Sequence, residues 1–287
     1  MSSDKVHCVV IVDSNNRHVS QSRSLSDFIF RMATPVNFHK RSQSKQYFAR
    51  IENVNLPISF YAINSNYNTF VITETNGVTP VELEITLTEG NYTIDELIAE
   101  LQTQLNAGTA YVNTYVLTYD EITQKVSITF TTGGGGTATT IDATGTTVSN
   151  TLGAILGFTE NFASSFLATA SLTGSDVAYT NTTRYLKLYI DNINSNNVYD
   201  HQHVRKVGLK LPINEVRNEF QFYKNSDGYK IQLPSIPTIN EMRIKLTDPE
   251  DNVVDLHGVP WSFDVVFYEY NKSDGLSTNK SSRGKLN

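Results

Sequence analysis

The last long stretch of the sequence, residues 241–269, alternates apolar and polar side chains with a period of two. Apolar residues stand at positions 242, 244 and 246, and after an acidic turn the alternation resumes at Trp261 and Phe263. Successive side chains of a β-strand point to opposite faces, so this pattern predicts two strands with one buried face and one wet face. We expect Trp261 and Phe263 to point into a core, and Ser262 and Asp264 to point outward.

Similar strand patterns recur along the chain and are bounded by turn residues such as Asn76-Gly77. We count roughly eight to ten strands with short connections, interrupted by one helix and one hairpin at about residues 88–175. The predicted fold class is therefore mainly β. It is an antiparallel β-sandwich or jelly roll with one α+β insertion.

Residues 93–106 carry the clearest helix pattern. Thr93 and Glu96 have the spacing of a capping box, in which each side chain satisfies a free backbone N–H of the first turn. Apolar residues then follow at helical spacing, namely Leu97, Ile98, Leu101 and Leu105. This segment should be the longest helix of the chain, and it should pack its apolar stripe on the hairpin at residues 115–130.

Positive charge is concentrated at the N-terminus, although the chain as a whole is acidic. The first 50 residues hold eight Lys and Arg against three Asp, a net charge of +5, whereas the remainder carries −11. A basic segment on an acidic body suggests docking on an acidic neighbour or on nucleic acid, and a solvated terminus is the simpler alternative. The predicted domains are a basic arm at residues 1–46, the jelly roll at 47–270 and a flexible tail at 271–287.

Three patterns could bind a metal ion or phosphate, and each has a simpler structural interpretation. His201 and His203 have metal-compatible spacing but only Asp200 as a further ligand nearby. The acidic turn that begins at Asp248 lacks the spacing and the glycine of an EF-hand. The glycines at 133–136 are not followed by a lysine or the start of a helix. We predict no catalytic residue, no metal, no cofactor and no enzymatic activity.

The single cysteine, Cys8, excludes an intrachain disulfide and favours synthesis in a cytosol-like compartment. It lies in an apolar run of about seven residues, which is too short to span a membrane as a helix. We interpret Cys8 as a structural thiol and predict no membrane span.

Four segments of the sequence form a recognisable set, namely residues 11–17 with Asp27 and Phe28, residues 55–63, residues 87–93, and residues 244–248 with 254–258 and 261–263. In that order they resemble the penton, or minor capsid, proteins of virophages and Polinton-like viruses, a single jelly-roll family of double-stranded DNA viruses. Each motif is built of turns and alternation rather than of catalytic groups.

The resemblance implies an antiparallel β-sandwich that is a single jelly roll, usually with an insertion. It also implies a homopentamer at the icosahedral vertices of a virion, beside trimers of a double-jelly-roll major capsid protein. Such a protein would be made in the host cytoplasm or virus factory. The basic arm would then contact a neighbouring subunit, the inner shell or the genome. The candidate assembly contacts in the arm are Arg17, Arg23, Phe28, Phe30, Arg31 and Lys40.

Two other classes of protein remain open at this point. A viral fibre or receptor-binding module would also be rich in β-strands, Asn and Thr, and it would assemble as a glycan-binding trimer. A carbohydrate-active β-sandwich enzyme would need a cleft with two convergent carboxylates. The oligomeric number separates the first alternative from a pentamer, and activity on polysaccharides would reveal the second.

Overall fold

The chain divides after Phe60 and before Thr183 into two units, each with its own apolar core. Unit 1 comprises Met1–Phe60 and Thr183–Asn287, and unit 2 comprises Tyr61–Thr182. The structure is a computed structural model. It describes residues 5–38, 45–76, 79–108, 113–131, 138–141, 151–159, 162–166, 171–181, 183–191, 193, 198–199, 204–205, 208–214, 218–225, 230–233 and 238–271.

Strands make up most of the regular structure of both units. In chain order they are β1 (Lys5–Asp13), β2 (Asp27–Asn37), β3 (Lys45–Pro57), β4 (Thr69–Asn76), β5 (Thr79–Thr86), β6 (Thr114–Asp120), β7 (Lys125–Thr131), β8 (Ala138–Ile141), β9 (Phe162–Phe166), β10 (Ser171–Thr173), β11 (Tyr185–Asp191), β12 (Val198–Tyr199), β13 (Val204–Arg205), β14 (Leu209–Pro212), β15 (Phe220–Tyr223), β16 (Ile231–Gln232), β17 (Thr238–Thr247) and β18 (Ser262–Asn271). The helices are α1 (Ile94–Gly108) and α2 (Thr151–Ile155), and two 3-10 turns, Ser14–Asn16 and Val19–Gln21, follow β1.

Unit 1 has the connectivity of a long antiparallel hairpin that is rolled into two sheets. β1 pairs with β18, β2 with β17, β3 with β15 and β11 with β14. The pairs are therefore nested in sequence, from the two ends of the unit inward. One sheet has the order β1-β18-β3-β15, with β16 also on β3, and the other has the order β14-β11-β17-β2. This is the strand order of a jelly roll, in which two Greek keys are wound together. The predicted fold class, an antiparallel sandwich with jelly-roll connections, is confirmed.

The core of unit 1 is filled by the inward residues of both sheets. Trp261 is only 2% exposed, stacks on Phe263 with 5.2 Å between ring centroids, and meets the edge of Phe28 at 6.1 Å. Ser262 and Asp264, which alternate with the two aromatic residues, are only partly buried. The register of β18 is therefore the one that the alternation predicts.

Most of the segment that we predicted as a basic arm forms part of the jelly roll. β1 and β2 lie within residues 1–46, and they pair with the last two long strands of the chain. Their inward side chains, including Val12 and Phe28, belong to the core of unit 1. The prediction of a separate arm is therefore corrected for residues 5–37, because the core would be incomplete without them. Residues 272–287 of the predicted tail lie outside the described residues.

Unit 2 begins earlier than the insertion that the sequence predicted at about 88–175. β4 and β5 pair with each other, and β4 also pairs with β8, so both strands belong to the second unit rather than to the jelly roll. The sheets of unit 2 have the orders β5-β4-β8-β9 and β10-β7-β6. Unit 2 is thus connected to the jelly roll between β3 and β11, the third and fourth strands of the roll.

Helix α1 confirms the helix prediction. Thr93 N donates to Glu96 Oε2 at 2.9 Å, and Glu96 N donates to Thr93 Oγ1 at 3.3 Å, as in a capping box. The buried residues of the helix are Leu97, Leu101 and Leu105, whereas Ile98 is only half-buried. The helix packs on β6, as predicted, and also on β5. Among the described residues, no helix is long and apolar enough to cross a membrane.

Replacing Phe263 with Ala should lower the free energy of unfolding of unit 1 by about 3–5 kcal/mol, because the substitution leaves a cavity beside Trp261. Trp261 is the only tryptophan of the chain and lies in unit 1, so its fluorescence during urea denaturation reports on that unit. Ser262→Ala, at the next position and on the other face, is the control and should change stability by less than about 0.5 kcal/mol. Equal destabilisation by both variants would show that the assigned register is wrong.

Candidate assembly surface

Two of the predicted contact residues, Arg17 and Arg23, lie in the loop between β1 and β2. Arg17 is half-buried, and its Nη1 donates to the carbonyl oxygen of Ser14 at 3.1 Å. Arg23 is exposed and lies 3.7 Å from the carboxylate of Asp27. The two arginines therefore share no hydrogen-bond or ion-pair partner among the described residues. Lys40, also predicted, lies outside the described residues.

Arg31 holds the same loop against β2 through polar contacts. Its Nε donates to Glu241 Oε2 at 3.2 Å, its Nη2 donates to Gln21 Oε1 at 2.8 Å, and its Nη1 lies 2.9 Å from His18 Nε2. Because three groups of unit 1 already surround this guanidinium, Arg31 has a clear structural role. Its side chain is still partly exposed, as is that of Glu241.

Phe28 and Phe30 do not lie on a contact surface. Both are buried in the core of unit 1, where Phe28 meets Trp261. In the register of β2 with β17, Phe28 lies opposite Ile244 and Phe30 opposite Met242, both of which are fully buried. These two residues stabilise the subunit and cannot contact a neighbour in this fold, so that part of the predicted site is corrected.

The first strand carries an exposed apolar surface that we did not predict. Val6, Val9 and Ile11 point away from the core and are at least half exposed, with Ile11 at 68%. We call these three residues the β1 patch. Val10 and Val12, which alternate with Val9 and Ile11, face the core. The signal in the sequence was the continuous apolar run at residues 8–12 of β1, which departs from the alternation expected of a strand with one wet face.

The opposite edge of the same sheet carries a second apolar surface. Phe220 and Phe222 of β15 are exposed, and Phe222 reaches 78%. Gln221 between them is buried, and its Oε1 accepts a hydrogen bond from Asn214 N at 3.0 Å. The two phenylalanines, which we call the β15 patch, therefore face outward like the β1 patch. Clustered exposed apolar residues of this kind mark interaction sites more often than isolated ones do.

A polar strip on β3 and β18 separates the two patches. The hydroxyl of Tyr268 accepts a hydrogen bond from Arg50 Nη2 at 2.6 Å and donates to Glu52 Oε1 at 2.9 Å, and Arg50 also pairs with Glu52. Lys230 Nζ and Arg50 Cζ lie 5.0 and 5.1 Å from the centre of the Tyr268 ring. The polar groups of the strip bond to one another. The strip therefore separates the outward face of the sheet into two apolar surfaces, one at each edge.

The acidic turn after β17 is held by internal hydrogen bonds rather than arranged as a metal site. Asp248 accepts hydrogen bonds from Asn252 N at 2.8 Å and from Asn252 Nδ2 at 2.9 Å. Asp251 Oδ1 accepts from Tyr189 at 2.5 Å and lies 3.4 Å from Lys187 Nζ. Within the described ranges, no three His, Cys, Asp or Glu side chains lie close enough together to hold a metal ion. The candidate pair at positions 201 and 203 lies outside those ranges.

No protein-family model matches the chain, and no curated protein matches it. Among solved structures, the chain is similar to the crystal structure of the mavirus penton protein. The sequence identity is 8% and the TM-score is 0.49, over 91% of this chain and 99% of that chain. At this identity and score, the similarity does not assign a family or a function to the chain.

An ion pair at the end of β18 should make the stability of unit 1 depend on pH. Lys45 Nζ donates to Glu269 Oε1 at 2.5 Å. This hydrogen bond lowers the pKa of Glu269 below its ordinary value of 4.5 and raises the pKa of Lys45 above 10.5. Because the pKa of Glu269 is lowered, the ion pair stabilises the fold at pH values above 4.5, and this stabilisation is lost as the pH falls through the lowered pKa. Because the pKa of Lys45 is raised, the pair also stabilises the fold at pH values below 10.5, and this stabilisation is lost as the pH rises through the raised pKa.

Lys45→Met should therefore destabilise unit 1 at neutral pH, and its difference from the wild type should shrink as the pH falls through the pKa of Glu269. The measurement is urea denaturation followed by Trp261 fluorescence at pH 7 and at a series of lower pH values. Lys45→Arg keeps the charge and should retain most of the pH dependence. A difference between wild type and Lys45→Met that stays constant down to the acid limit would contradict the assignment.

Proposed function

We propose that this chain is a structural protein of a viral capsid, a penton of which five copies close an icosahedral vertex. Its site is an assembly surface rather than a catalytic centre. The proposal joins the four sequence segments that resemble penton proteins to the jelly-roll topology of unit 1, an architecture used by viral capsid proteins. The protein would then be located in the virion, after synthesis in the host cytoplasm or virus factory.

The observation that carries the proposal is the pair of apolar patches at opposite edges of one sheet. A closed ring of identical subunits needs heterologous contacts, in which each subunit buries two different surfaces. The β1 patch of one copy and the β15 patch of the next would supply these two surfaces. A standard interface buries about 800 Å² on each partner, so neighbouring polar residues of both strands would contribute as well.

Further partners in the proposed assembly are trimers of a double-jelly-roll major capsid protein around the vertex. Arg17, Arg23 and Lys40 remain candidates for contacts with a neighbour, the inner shell or the genome. Because β1 and β2 complete the core, deletion of residues 1–46 would unfold unit 1 and would not test these contacts. Single substitutions on the surface are the appropriate test.

The oligomeric number of the purified chain tests the proposal most directly. Native mass spectrometry should show a species of five times the chain mass of 32.1 kDa. Ile11→Asp should abolish this species because it places a charge in the β1 patch, and Phe222→Asp should do so through the β15 patch. Ile122→Asp is the matched control, since Ile122 is 94% exposed on the turn between β6 and β7 and belongs to neither patch.

Mixing the two single variants tests whether one patch binds the other. Each variant keeps one intact patch, so the mixture should form a dimer through the remaining β1–β15 contact but no closed ring. If Phe222→Asp alone formed dimers, the β1 patch would bind its own copy and the ring-closing contact would be wrong. A stable trimer with affinity for glycans would instead support a viral fibre or receptor-binding module.

A further inference from the structure

A cleft of about 340 Å³ lies in unit 1 between the β1–β2 loop and the segment that leads into β18. Its walls include side chains of opposite charge and several small polar groups, namely Asn15, Arg17, Ser24, Ser26 and Asp255. It is within the size range of small-ligand pockets, which is about 300–1,000 Å³. The cleft is separate from both apolar patches.

The walls of the cleft are fixed by a set of hydrogen bonds. Ser14 N donates to the carbonyl oxygen of Trp261 at 3.0 Å, and Trp261 N donates to Ser14 Oγ at 2.9 Å. The indole Nε1 of Trp261 donates to the carbonyl oxygen of Leu25, which also lines the cleft, at 2.8 Å. On the same wall, Ser24 Oγ accepts hydrogen bonds from Ser26 N and Asp27 N at 3.1 and 3.0 Å. The loop is thus organised before any ligand arrives.

Hydrogen-bonding capacity remains unused in this cleft. Arg17 donates one hydrogen bond, to Ser14, and its other N–H groups have no partner among the described residues. Ser26 is 1% exposed, and its hydroxyl has no hydrogen-bond partner in the described part of the chain. A buried polar group without a partner is unfavourable, so a ligand that bonds to it gains affinity. A half-buried guanidinium and such a hydroxyl in the walls of one cleft suit a planar oxyanion.

The charge at the rim favours a ligand with a single negative charge. Asp255 is 79% exposed, its Oδ1 accepts a hydrogen bond from His257 N at 2.8 Å, and its Oδ2 lies 3.7 Å from His257 Nδ1. The negative charge of the Asp255 carboxylate lies close to the site. It repels a phosphate, which carries about −1.5 to −2 at pH 7, more strongly than it repels a ligand carboxylate with a single charge.

We propose that this cleft binds the carboxylate of an aspartate or glutamate side chain on a neighbouring protein chain, through Arg17 and the Ser26 hydroxyl. Other copies of the chain carry the charge that this contact requires, since the residues after Arg50 have a net charge of −11. The proposal goes beyond the proposed capsid function and does not rest on it, because it concerns a defined cleft and a single functional group.

Trp261 provides the readout, because its indole bonds directly to a wall of the cleft. The full chain is titrated at constant ionic strength with sodium acetate, with N-acetyl-glutamate amide and with inorganic phosphate, and chloride serves as the blank. Acetate and the blocked glutamate should shift the tryptophan emission saturably, with the blocked glutamate at least as tight as acetate. Phosphate should bind more weakly than either.

Arg17→Gln should weaken binding of the blocked glutamate by about tenfold or more, as expected for the loss of hydrogen bonds to a charged group. Arg17→Lys should show an intermediate affinity, and it keeps the test valid if the glutamine variant folds poorly. Arg23→Gln, in the same loop but outside the cleft, should bind like the wild type.

Four results would overturn the proposal. Three of them are the absence of a saturable response in the wild type, an unchanged affinity in Arg17→Gln, and tighter binding of phosphate than of either carboxylate. The fourth is binding of acetate without binding of the blocked glutamate, which would show that the ligand is a free acid rather than a protein side chain.

Discussion

The pairing of the first and last long strands is the constraint on which unit 1 depends. β18 lies between β1 and β3, so Val12 comes opposite Phe263, although about 250 residues separate them in sequence. This pair closes the rolled hairpin, and the remaining partners follow in order from the two ends inward. It also places Trp261 beside Phe28, which fills the end of the core near the β1–β2 loop. Because these contacts are distant in sequence, they form only when the loop-closure entropy of the whole unit is offset by burial.

The elements that could be predicted from sequence are those whose signals are local. In β18 the period of two distinguishes the core face from the wet face without reference to a partner. In α1 the capping box of Thr93 and Glu96 and the stripe of leucines are both contained in the element itself. The partner of a strand is not a local property. For that reason the basic surroundings of Phe28 suggested an arm, although its burial depends on Trp261 and Ile244 at the other end of the chain.

The candidate surfaces were harder to predict, because exposure depends on the sheet as a whole. The apolar run of β1 could have indicated that both faces of the strand are apolar. Only the edge position of β1 leaves Val9 and Ile11 without a covering layer in the described structure.

Buried polar groups inside unit 2 are equally difficult to predict from the sequence. Glu74 is fully buried and accepts hydrogen bonds from Tyr115 at 2.8 Å and Asn113 at 3.1 Å, a placement that no local pattern indicates.

The connection of unit 2 between β3 and β11 explains how the chain can contain a second unit without losing the jelly roll. β3 pairs with β18 and β15, and β11 pairs with β17 and β14, so none of the required pairs has both strands at the junction. The entropy of closing a loop grows only logarithmically with its length, so a long insertion adds little to the cost of pairing the strands of unit 1. The ordering of the inserted residues is offset separately, by the core that α1 forms with the strands of unit 2. The strand order β1-β18-β3-β15 of the first sheet is therefore compatible with the insertion.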